Sequence, residues 1–162
     1  MPVEMTRRLL QSPGDDVLSA ILAEVRAAQH TLRILMYAWV WPDLTNTIII
    51  EHQAGIDVRL VLDKVQFSGH SEHPEVEQMQ AAGVPIVIRE SEAHHIQHDK
   101  VFIIDGSTVI RGSFNATLTA EKEDNFIEID HGNPVWCAAF AAEFDRLWQT
   151  APPQPTPAPP AP

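Results

Sequence analysis

Apolar and polar positions along this chain follow two periods, which predict strands and helices in alternation. Residues 57–62 are predicted to be a strand, and their nearly continuous apolar run at 58–62 is expected for a strand covered on both faces. Residues 135–149 instead place large apolar side chains at helical spacing, which predicts an amphipathic helix. The same reasoning predicts further strands at residues 6–10, 31–37, 85–89 and 125–130 and further helices at residues 15–29, 42–53 and 74–82. This alternation is typical of an α/β fold.

The strongest local signal is the stretch from residue 98 to residue 115, which reads HDKVFIIDGSTVIRGSFN. Asp105 and Gly106 stand between two runs rich in Val and Ile. This pair is typical of the two-residue turn of a β-hairpin, where both turn residues need positive φ. Residues 99–104 and 108–113 are therefore predicted to be adjacent antiparallel strands.

A two-residue turn would also determine which side chains share a face of this hairpin. It places His98 opposite Ser113 and Lys100 opposite Arg111, and side chains alternate between faces with a period of two. His98, Lys100, Ser113 and Asn115 are then predicted to share one face. A register shift of one residue would move Ser113 and Asn115 to the other face.

Side chains of these types, gathered on one face, suit a phosphate site. Lys100 offers a fixed positive charge, and Asn115 offers an amide donor. His98 offers a ring nitrogen that can attack phosphorus or transfer a proton near neutral pH. None of these steps needs a metal ion or another cofactor, so none is expected.

The same stretch resembles the phospholipase D superfamily. It matches the signature HxK(x)4D(x)6GSxN at every fixed position, through His98, Lys100, Asp105, Gly112, Ser113 and Asn115. Six specified residues at fixed spacing make a specific signal. Beyond the motif, the order of helices and strands resembles the small single-motif bacterial endonucleases of that superfamily. The resemblance implies a mixed β-sheet flanked by helices on both faces, with a catalytic domain over residues 5–150 and a Pro-rich disordered tail over residues 151–162.

The resemblance also implies which residues act. The motif residues are expected to be catalytic, Ser113 and Asp105 included, although the hairpin places Asp105 at its turn, where a structural role is expected. In this family a Glu followed by Asn usually precedes the last strand and orients the catalytic His98. Here Asp124 takes that position, and Glu123 is the alternative.

The predicted loop over residues 63–73 follows the carboxyl end of a strand, where open α/β sheets usually place residues that contact ligands. It contributes Lys64 as a predicted substrate contact, alongside Lys100 and Asn115. A polar surface loop is the alternative interpretation of this segment.

A metal site is the alternative interpretation of His94, His95 and His98. On a helix, His94 and His98 would face the same way, as two zinc ligands might. The sequence that follows alternates like a strand, however, and no Cys or third spaced His completes a ligand set. We therefore expect no metal site.

Composition narrows the class of protein. The 162 residues are enough for one domain, and 44% hydrophobic with 20% charged residues is ordinary for a soluble globular protein. The lone Cys137 rules out an internal disulfide. The first residues lack an apolar segment of the signal-peptide type, so a cytoplasmic location is expected. The net charge of −11 is unusual for a nucleic-acid binder, although a small basic cleft on an acidic protein can still bind phosphate.

A single motif per chain bears on assembly. By resemblance, two chains are expected to form a homodimer about a two-fold axis and to share one phosphate site. One His98 would attack the phosphodiester to give a phosphohistidine, the other would protonate the leaving oxygen, and water would hydrolyse the intermediate. The predicted function is a metal-independent nuclease that acts on DNA or RNA, since no membrane-binding segment is visible. The alternatives are a phospholipase D-type lipid hydrolase and a non-catalytic nucleic-acid-binding module.

Overall fold

The computed structural model describes residues 4–68 and 73–154, which fold as strands and helices in alternation. The strands are β1 (Thr6–Ser12), β2 (Thr31–Met36), β3 (Trp39–Val40), β4 (Asp57–Asp63), β5 (Ile86–Arg89), β6 (Lys100–Ile104), β7 (Thr108–Gly112), β8 (Ala116–Thr117) and β9 (Asn125–His131). The helices are α1 (Val17–Arg26), α2 (Pro42–Gln53), α3 (Lys64–Ser68), α4 (His73–Ala81) and α5 (Pro134–Gln149). Every strand and helix predicted from the apolar pattern has a counterpart here.

Seven of these strands form one sheet, in the order β1-β9-β7-β6-β2-β4-β5. The strands β2, β4 and β5 are parallel to one another. The strands β6, β7, β9 and β1 each run antiparallel to their neighbours. The two short strands β3 and β8 pair with each other in parallel. This mixed sheet, with the helices described next, confirms the predicted fold class.

Helices α1, α2 and α4 cover one face of the sheet. Asp16 caps α1 by accepting a hydrogen bond from the backbone N–H of Ser19 at 3.0 Å. Pro42 occupies the first turn of α2, where a missing N–H removes no helical hydrogen bond. The core on this face includes Trp39 and Trp41, which are the largest of the fully buried side chains.

Helix α5 covers the opposite face over β2, β4, β6 and β7. Asn133 caps it by accepting from the backbone N–H of Trp136 at 3.2 Å. Its buried side chains Cys137, Phe144 and Leu147 pack on Leu35, Val61, Val87, Val101, Ile103 and Val109. On the part of this face that belongs to β1 and β9, Leu9 is 57% exposed and Phe126 is 43% exposed. One half of this face is therefore covered by helix, and the other half is open.

The predicted hairpin forms, but its register is shifted by one residue. Asp105 and Gly106 both adopt positive φ, at 52° and 62°, as the prediction requires. The turn contains a third residue, Ser107, and Ile104 pairs with Thr108. The predicted two-residue connection is therefore wrong.

Ser107, the extra residue of this turn, is hydrogen-bonded to the turn that follows β9. The carbonyl oxygen of Ser107 accepts a hydrogen bond from the backbone N–H of Gly132, 2.8 Å away, at the end of β9. Arg111 consequently pairs with Val101, and the predicted pairing of Lys100 with Arg111 is wrong. Lys100 and Arg111 project from opposite faces of the hairpin, because neighbouring residues of a strand alternate.

One edge of the sheet collects the ends of most strands. The parallel strands β2, β4 and β5 end there, and β6 begins there because it runs antiparallel to β2. By the same alternation, β7 ends and β9 begins at this edge. We call it the site edge, and it is marked by Met36, Asp63, Lys100, Gly112 and Asn125.

Two segments predicted to be irregular are partly ordered. The short helix α3 lies inside the predicted loop over residues 63–73, of which His70 lies outside the described residues. The tail is predicted to be disordered from residue 151, but the Gln154 carboxamide accepts from the Ile88 N–H at 2.7 Å and donates to the Ile88 carbonyl at 3.3 Å. Residues 151–154 have no regular secondary structure and residues 155–162 lie outside the description, so the disordered tail stays a prediction.

Among residues 4–68 and 73–154, no helix combines the length and the apolar character that a membrane crossing requires.

Candidate active site

The site edge brings the predicted catalytic pair together. His98 stands just before β6 and is exposed, whereas Lys100 is the first residue of β6 and is only 8% exposed. The Lys100 Nζ donates a hydrogen bond to the backbone carbonyl of His98 at 2.7 Å. An exposed histidine therefore lies next to a buried ammonium group.

Tyr37, the residue after β2, contacts both members of this pair. Its ring meets the His98 ring edge-on, with centroids 4.6 Å apart and an interplanar angle of 65°. The Lys100 Nζ lies 4.9 Å from the centroid of the same ring. The Tyr37 hydroxyl accepts a hydrogen bond from Gln66 Nε2 at 2.7 Å. Tyr37 belongs to no motif in the sequence, and its place directly after a strand that ends at the site edge is the one signal that could have indicated it.

Burial changes the acid–base behaviour of Lys100. Desolvation lowers its pKa from 10.5 to about 8, because few water molecules can stabilise the ammonium form. The nearby carboxylates of Asp99 and Asp63 act in the opposite direction and raise the pKa, by a smaller amount. Lys100 therefore titrates just above neutral pH, which couples its charge to solution conditions.

Asp63 is a fully buried carboxylate at the end of β4. Its Oδ1 accepts from the backbone N–H groups of Val65 and Gln66, at 2.9 Å and 3.0 Å, which caps the start of α3. Its Oδ2 accepts from the backbone N–H of Gln97 at 2.7 Å. Asp63 thus fixes the residue that precedes His98, a role that the sequence analysis missed.

Gly112 and Ser113 join β7 to β9. A Cβ atom at Gly112 would lie 2.0 Å from the carbonyl oxygen of Phe126, so only glycine fits there. The Ser113 hydroxyl donates to Asn125 Oδ1 at 2.8 Å and accepts from the Phe126 N–H at 3.2 Å. The predicted pairing of Ser113 with His98 is wrong because β7 ends at Gly112 and the hydroxyl is used to hold β9.

Asn115 lies at the site edge next to the short strand β8, and it does not continue the hairpin strand β7. It directly precedes Ala116, which pairs with Trp39 two residues beyond Tyr37. Its side-chain Oδ1 is buried and has no hydrogen-bond partner among the described residues. An unpaired buried amide oxygen is costly, so this carboxamide is the kind of group that a ligand or a second chain satisfies.

The two candidate orienting carboxylates do not contact the histidine. Asp124 is exposed, and in the described part of the chain no hydrogen bond joins it to His98. Glu123 Oε2 instead accepts from Asn125 Nδ2 at 3.4 Å. Within the described residues of one chain, the imidazole of His98 therefore lacks an orienting carboxylate.

Asp105 lies at the opposite end of the hairpin from His98. Its carboxylate accepts from the backbone N–H groups of Gln29, His30 and Thr31, at 2.7, 2.8 and 2.7 Å. These bonds fasten the turn to the connection between α1 and β2. Asp105 therefore has the structural role that its place in the turn predicts, and its inclusion among the catalytic residues stays a prediction.

An open cleft of about 460 Å³ lies beside the catalytic pair, and its lining includes His98, Lys100, Arg111, Phe126, Glu128 and Phe140. Arg111 donates to Glu128 at 2.6 Å, and its guanidinium lies 4.1 Å from the ring of Trp136. The cleft therefore joins the catalytic pair to the open half of the sheet face.

Lys64 lies outside the lining of this cleft. Its side chain is 55% exposed, and its Nζ is 3.4 Å from Glu90 Oε1. It lines a separate pocket with Phe67, Pro152 and Pro153. A substrate contact by Lys64 stays a prediction.

His94 and His95, which precede the motif, each form a contact with a residue close by in the sequence. His94 Nδ1 lies 3.0 Å from Glu90 Oε1, and the carbonyl of His95 accepts from the Ser91 N–H at 2.7 Å. In the ranges that the structure describes, no three His, Cys, Asp or Glu side chains are grouped closely enough to hold a metal ion.

Comparison with known sequences finds a match over most of the chain. Residues 21–148 match the family described as "Cardiolipin synthase, PLD-like domain". A curated relative, the mitochondrial cardiolipin hydrolase of Chlamydomonas reinhardtii, is 30% identical over 131 residues. That alignment covers 81% of this chain but 57% of the relative, so the chain spans less than two thirds of that protein.

Solved structures share the whole fold. Nuc from Salmonella typhimurium, described as a phospholipase D family member, matches with a TM-score of 0.87 and 25% identity, over 94% of this chain and 100% of that one. NucT from Helicobacter pylori matches with a TM-score of 0.76 and 17% identity, over 91% and 98% of the two chains. The fold of this chain is thus similar over more than nine tenths of its length to that of both proteins.

Proposed function

We propose, from the premise that this chain belongs to the phospholipase D-like family, that it is a metal-independent phosphodiesterase whose substrate is nucleic acid. One observation carries the proposal. An exposed histidine, His98, lies beside a buried lysine, Lys100, at the edge of the sheet where the strand ends meet. This arrangement leaves a nucleophile accessible and places a positive charge in a poorly solvated position, where it acts most strongly on phosphate.

The chemistry follows from these groups. A ring nitrogen of His98 attacks phosphorus, so a P–N bond forms while one P–O ester bond breaks. Lys100 offsets the negative charge that builds up on the non-bridging oxygens. A protonated imidazole from a second copy of His98 gives its proton to the leaving oxygen. Water then attacks the phosphohistidine, which releases a phosphomonoester and regenerates His98.

Asn115 suits both halves of this reaction. Its Nδ2 can donate to a phosphate oxygen, whereas its buried and unpaired Oδ1 needs a donor that phosphate itself cannot provide. A protonated imidazole or the attacking water can donate a hydrogen bond to this oxygen. The Asn115 carboxamide would then hold the phosphate and a proton donor side by side.

The mechanism needs a general acid that protonates the leaving oxygen. One chain carries a single motif histidine, which argues for a homodimer. One chain offers a single motif, and nothing in its described residues gives His98 a carboxylate partner. The open half of the α5 face provides a surface for the second chain, since Leu9, Phe126 and Trp136 are 57%, 43% and 43% exposed there. Phe126 also lines the cleft, so a two-fold axis near it would bring two copies of His98 to one phosphate.

Nucleic acid is favoured as the substrate by the shape and chemistry of the cleft. It is open and its lining includes Phe126 and Phe140 as well as His98, and aromatic side chains are the usual stacking partners of unpaired bases. A phosphodiester at Lys100 would leave its flanking nucleotides along these rings. A single-stranded segment fits such a cleft better than a duplex.

A lipid substrate is the second candidate, and a specific observation favours it. Two apolar side chains close to the site edge, Val65 on α3 and Ile96 before His98, are 50% and 41% exposed. Such side chains can enter the interfacial layer of a membrane. The curated relative is named for hydrolysis of cardiolipin, itself a phosphodiester.

The decisive experiment measures hydrolysis of bis(p-nitrophenyl) phosphate in excess EDTA, with wild type and His98→Ala side by side. We expect activity that survives chelation and is absent from the variant. Loss of wild-type activity on chelation would contradict the mechanism. If neither protein turns over but both bind an oligonucleotide, the chain is a binding module instead.

The same two proteins then separate the substrates. We expect cleavage of a labelled single-stranded oligonucleotide that is faster than hydrolysis of cardiolipin in vesicles. The reverse order would identify the lipid as the substrate. Mixing His98→Ala with wild-type chains tests the shared site, since a mixed dimer should lose nearly all activity if both histidines are required.

A further inference from the structure

We infer that Tyr37 is a positioning residue of this site: its ring holds His98 edge-on and helps Lys100 to carry its charge. The inference rests on the proposed function only for its catalytic consequence. The contacts themselves are features of the fold, so they can be tested without turnover.

The ring is placed to act on both partners at once. An aromatic ring has a negative face and a positive edge, so an ammonium group is attracted to its face. The Lys100 Nζ is 4.9 Å from the Tyr37 centroid, within the range of a cation–π contact. The His98 ring meets the same aromatic group at 65°, the T-shaped geometry that such pairs prefer.

The protein fixes this ring by a closed set of contacts. The hydroxyl of Tyr37 accepts from Gln66 on α3, and the start of α3 is capped by the buried carboxylate of Asp63. The other oxygen of that carboxylate accepts from the N–H of Gln97, the residue before His98. The histidine is therefore held from two sides, through its backbone and through its ring.

Lys100 has few other ways to stabilise its charge. Its ammonium group donates to the His98 carbonyl, and the rest of the side chain is buried. The charged groups that face it are Asp99 and His98 on its own strand segment and Asp63 on β4, while Arg111 and Glu128 from β7 and β9 line the cleft. Asp99 and Glu128 are the acids among the described residues that line the cleft, and neither forms a salt bridge with Lys100. The face of the Tyr37 ring thus replaces part of the lost hydration.

The first test compares Tyr37→Leu with Tyr37→Phe in the pH dependence of kcat/KM for bis(p-nitrophenyl) phosphate. Leucine keeps the apolar volume but removes the ring, so the alkaline limb should move to lower pH by roughly half a unit to one and a half units. It should also lower kcat by about 10- to 100-fold with a smaller change in KM, because misplacement of a nucleophile affects the reacting geometry. Phenylalanine keeps the ring, so the limb should stay in place.

The second test needs no activity. Tyr37 is the single tyrosine of the chain, so ring-labelled ¹³C tyrosine gives NMR signals from this residue alone. We expect the ring shifts to follow a titration near pH 8 that belongs to Lys100, well below the ordinary phenol near 10. The titration should vanish in Lys100→Met and persist in His98→Ala.

The outcomes separate the two proposals. If the ring signals titrate with Lys100 but no substrate is hydrolysed, the positioning role stands and the proposed function fails. If the enzyme is active and the Tyr37→Leu limb coincides with that of wild type, Tyr37 has no such role. Should Tyr37→Leu not fold, an absence of the Lys100 titration in the wild-type NMR signals is enough to overturn the inference.

Discussion

The buried charge of Lys100 should cost the protein stability. Its pKa is lowered by burial from 10.5 to about 8, a difference that corresponds to about 3 kcal/mol at most. Because the folded state holds the proton less tightly than the unfolded state, the full cost is present below pH 8. It is relieved as the pH rises from about 8 to 10.5, where the folded protein has already released the proton.

The perturbation that isolates this cost is Lys100→Met, which keeps the length and the apolar stem of the side chain. We expect the free energy of unfolding to rise by about 2 to 3 kcal/mol at pH 7 and to match wild type near pH 10.5. Urea denaturation at the two pH values measures both quantities. The lost hydrogen bond to the His98 carbonyl should reduce the gain only slightly, because His98 is exposed to water.

The same titration should appear in catalysis. In the proposed mechanism only charged Lys100 assists, so kcat/KM should fall about tenfold per pH unit above pH 8. Lys100→Arg stays charged throughout and should lose this limb even if its overall rate is lower. If the limb persists in Lys100→Arg, or if Lys100→Met is less stable than wild type at pH 7, the reasoning about a buried and functional charge is refuted.

Three further predictions concern the residues that support the site. Asp105→Ala should cost about 3 kcal/mol of unfolding free energy by urea denaturation, since three backbone N–H groups lose their acceptor. Burial raises the pKa of Asp105, but the N–H groups that it accepts from outweigh this and lower it, so the loss relative to wild type should shrink as the pH falls below about 4. Gly112→Ala should unfold the β7–β9 junction, visible as a fall in Tm with exposed amides of β9 in hydrogen exchange, whereas Gly14→Ala, where a Cβ has 3.7 Å of room, should be nearly neutral. Asp63→Asn should reduce kcat by a larger factor than it changes KM. The amide NH₂ that replaces one carboxylate oxygen is a donor, and it would face a backbone N–H group that is also a donor.

The arrangement of elements could be predicted because local signals and tertiary packing agree. Pro42 begins α2 at the predicted residue, and the near-continuous apolar run at residues 58–62 belongs to an interior strand covered on both faces. Asp105 and Gly106 give the positive φ values that the turn needs. Each of these features depends on a few neighbouring residues, so the sequence contains the information.

The register of the hairpin could not be predicted in the same way. Ser107 lies outside the ladder between β6 and β7, and its carbonyl accepts a hydrogen bond from Gly132, a residue far away in the sequence. No hairpin rule contains that contact. The observed register has a chemical consequence. It places Lys100 and Arg111 on opposite faces, and the Ser113 hydroxyl forms a hydrogen bond to β9 instead of pairing with His98.

The residues missed by sequence reasoning share a cause. Tyr37 and Asp63 follow or end strands that have no motif, and only the parallel pairing of β2 and β4 brings both to the site edge. Tyr37 contacts the His98 ring directly and Asp63 acts through Gln97, and neither contact leaves a spacing pattern in the sequence. The end of a central strand was the only available signal.

The charge of −11 becomes compatible with a phosphate substrate once the acids are located. Asp63 and Asp105 accept from backbone N–H groups, and Arg111 in the cleft is paired with Glu128. Among the described residues of the cleft lining, Lys100 is then the cation without a salt bridge, and a dimer would present two of them to one phosphodiester. Because so few phosphates are neutralised, oligonucleotide affinity should change little with salt, with a slope near −1.4 for two contacts to a single strand on the order-of-magnitude rule of about −0.7 per phosphate. A steep slope would instead require a basic surface that the described part of the chain does not show.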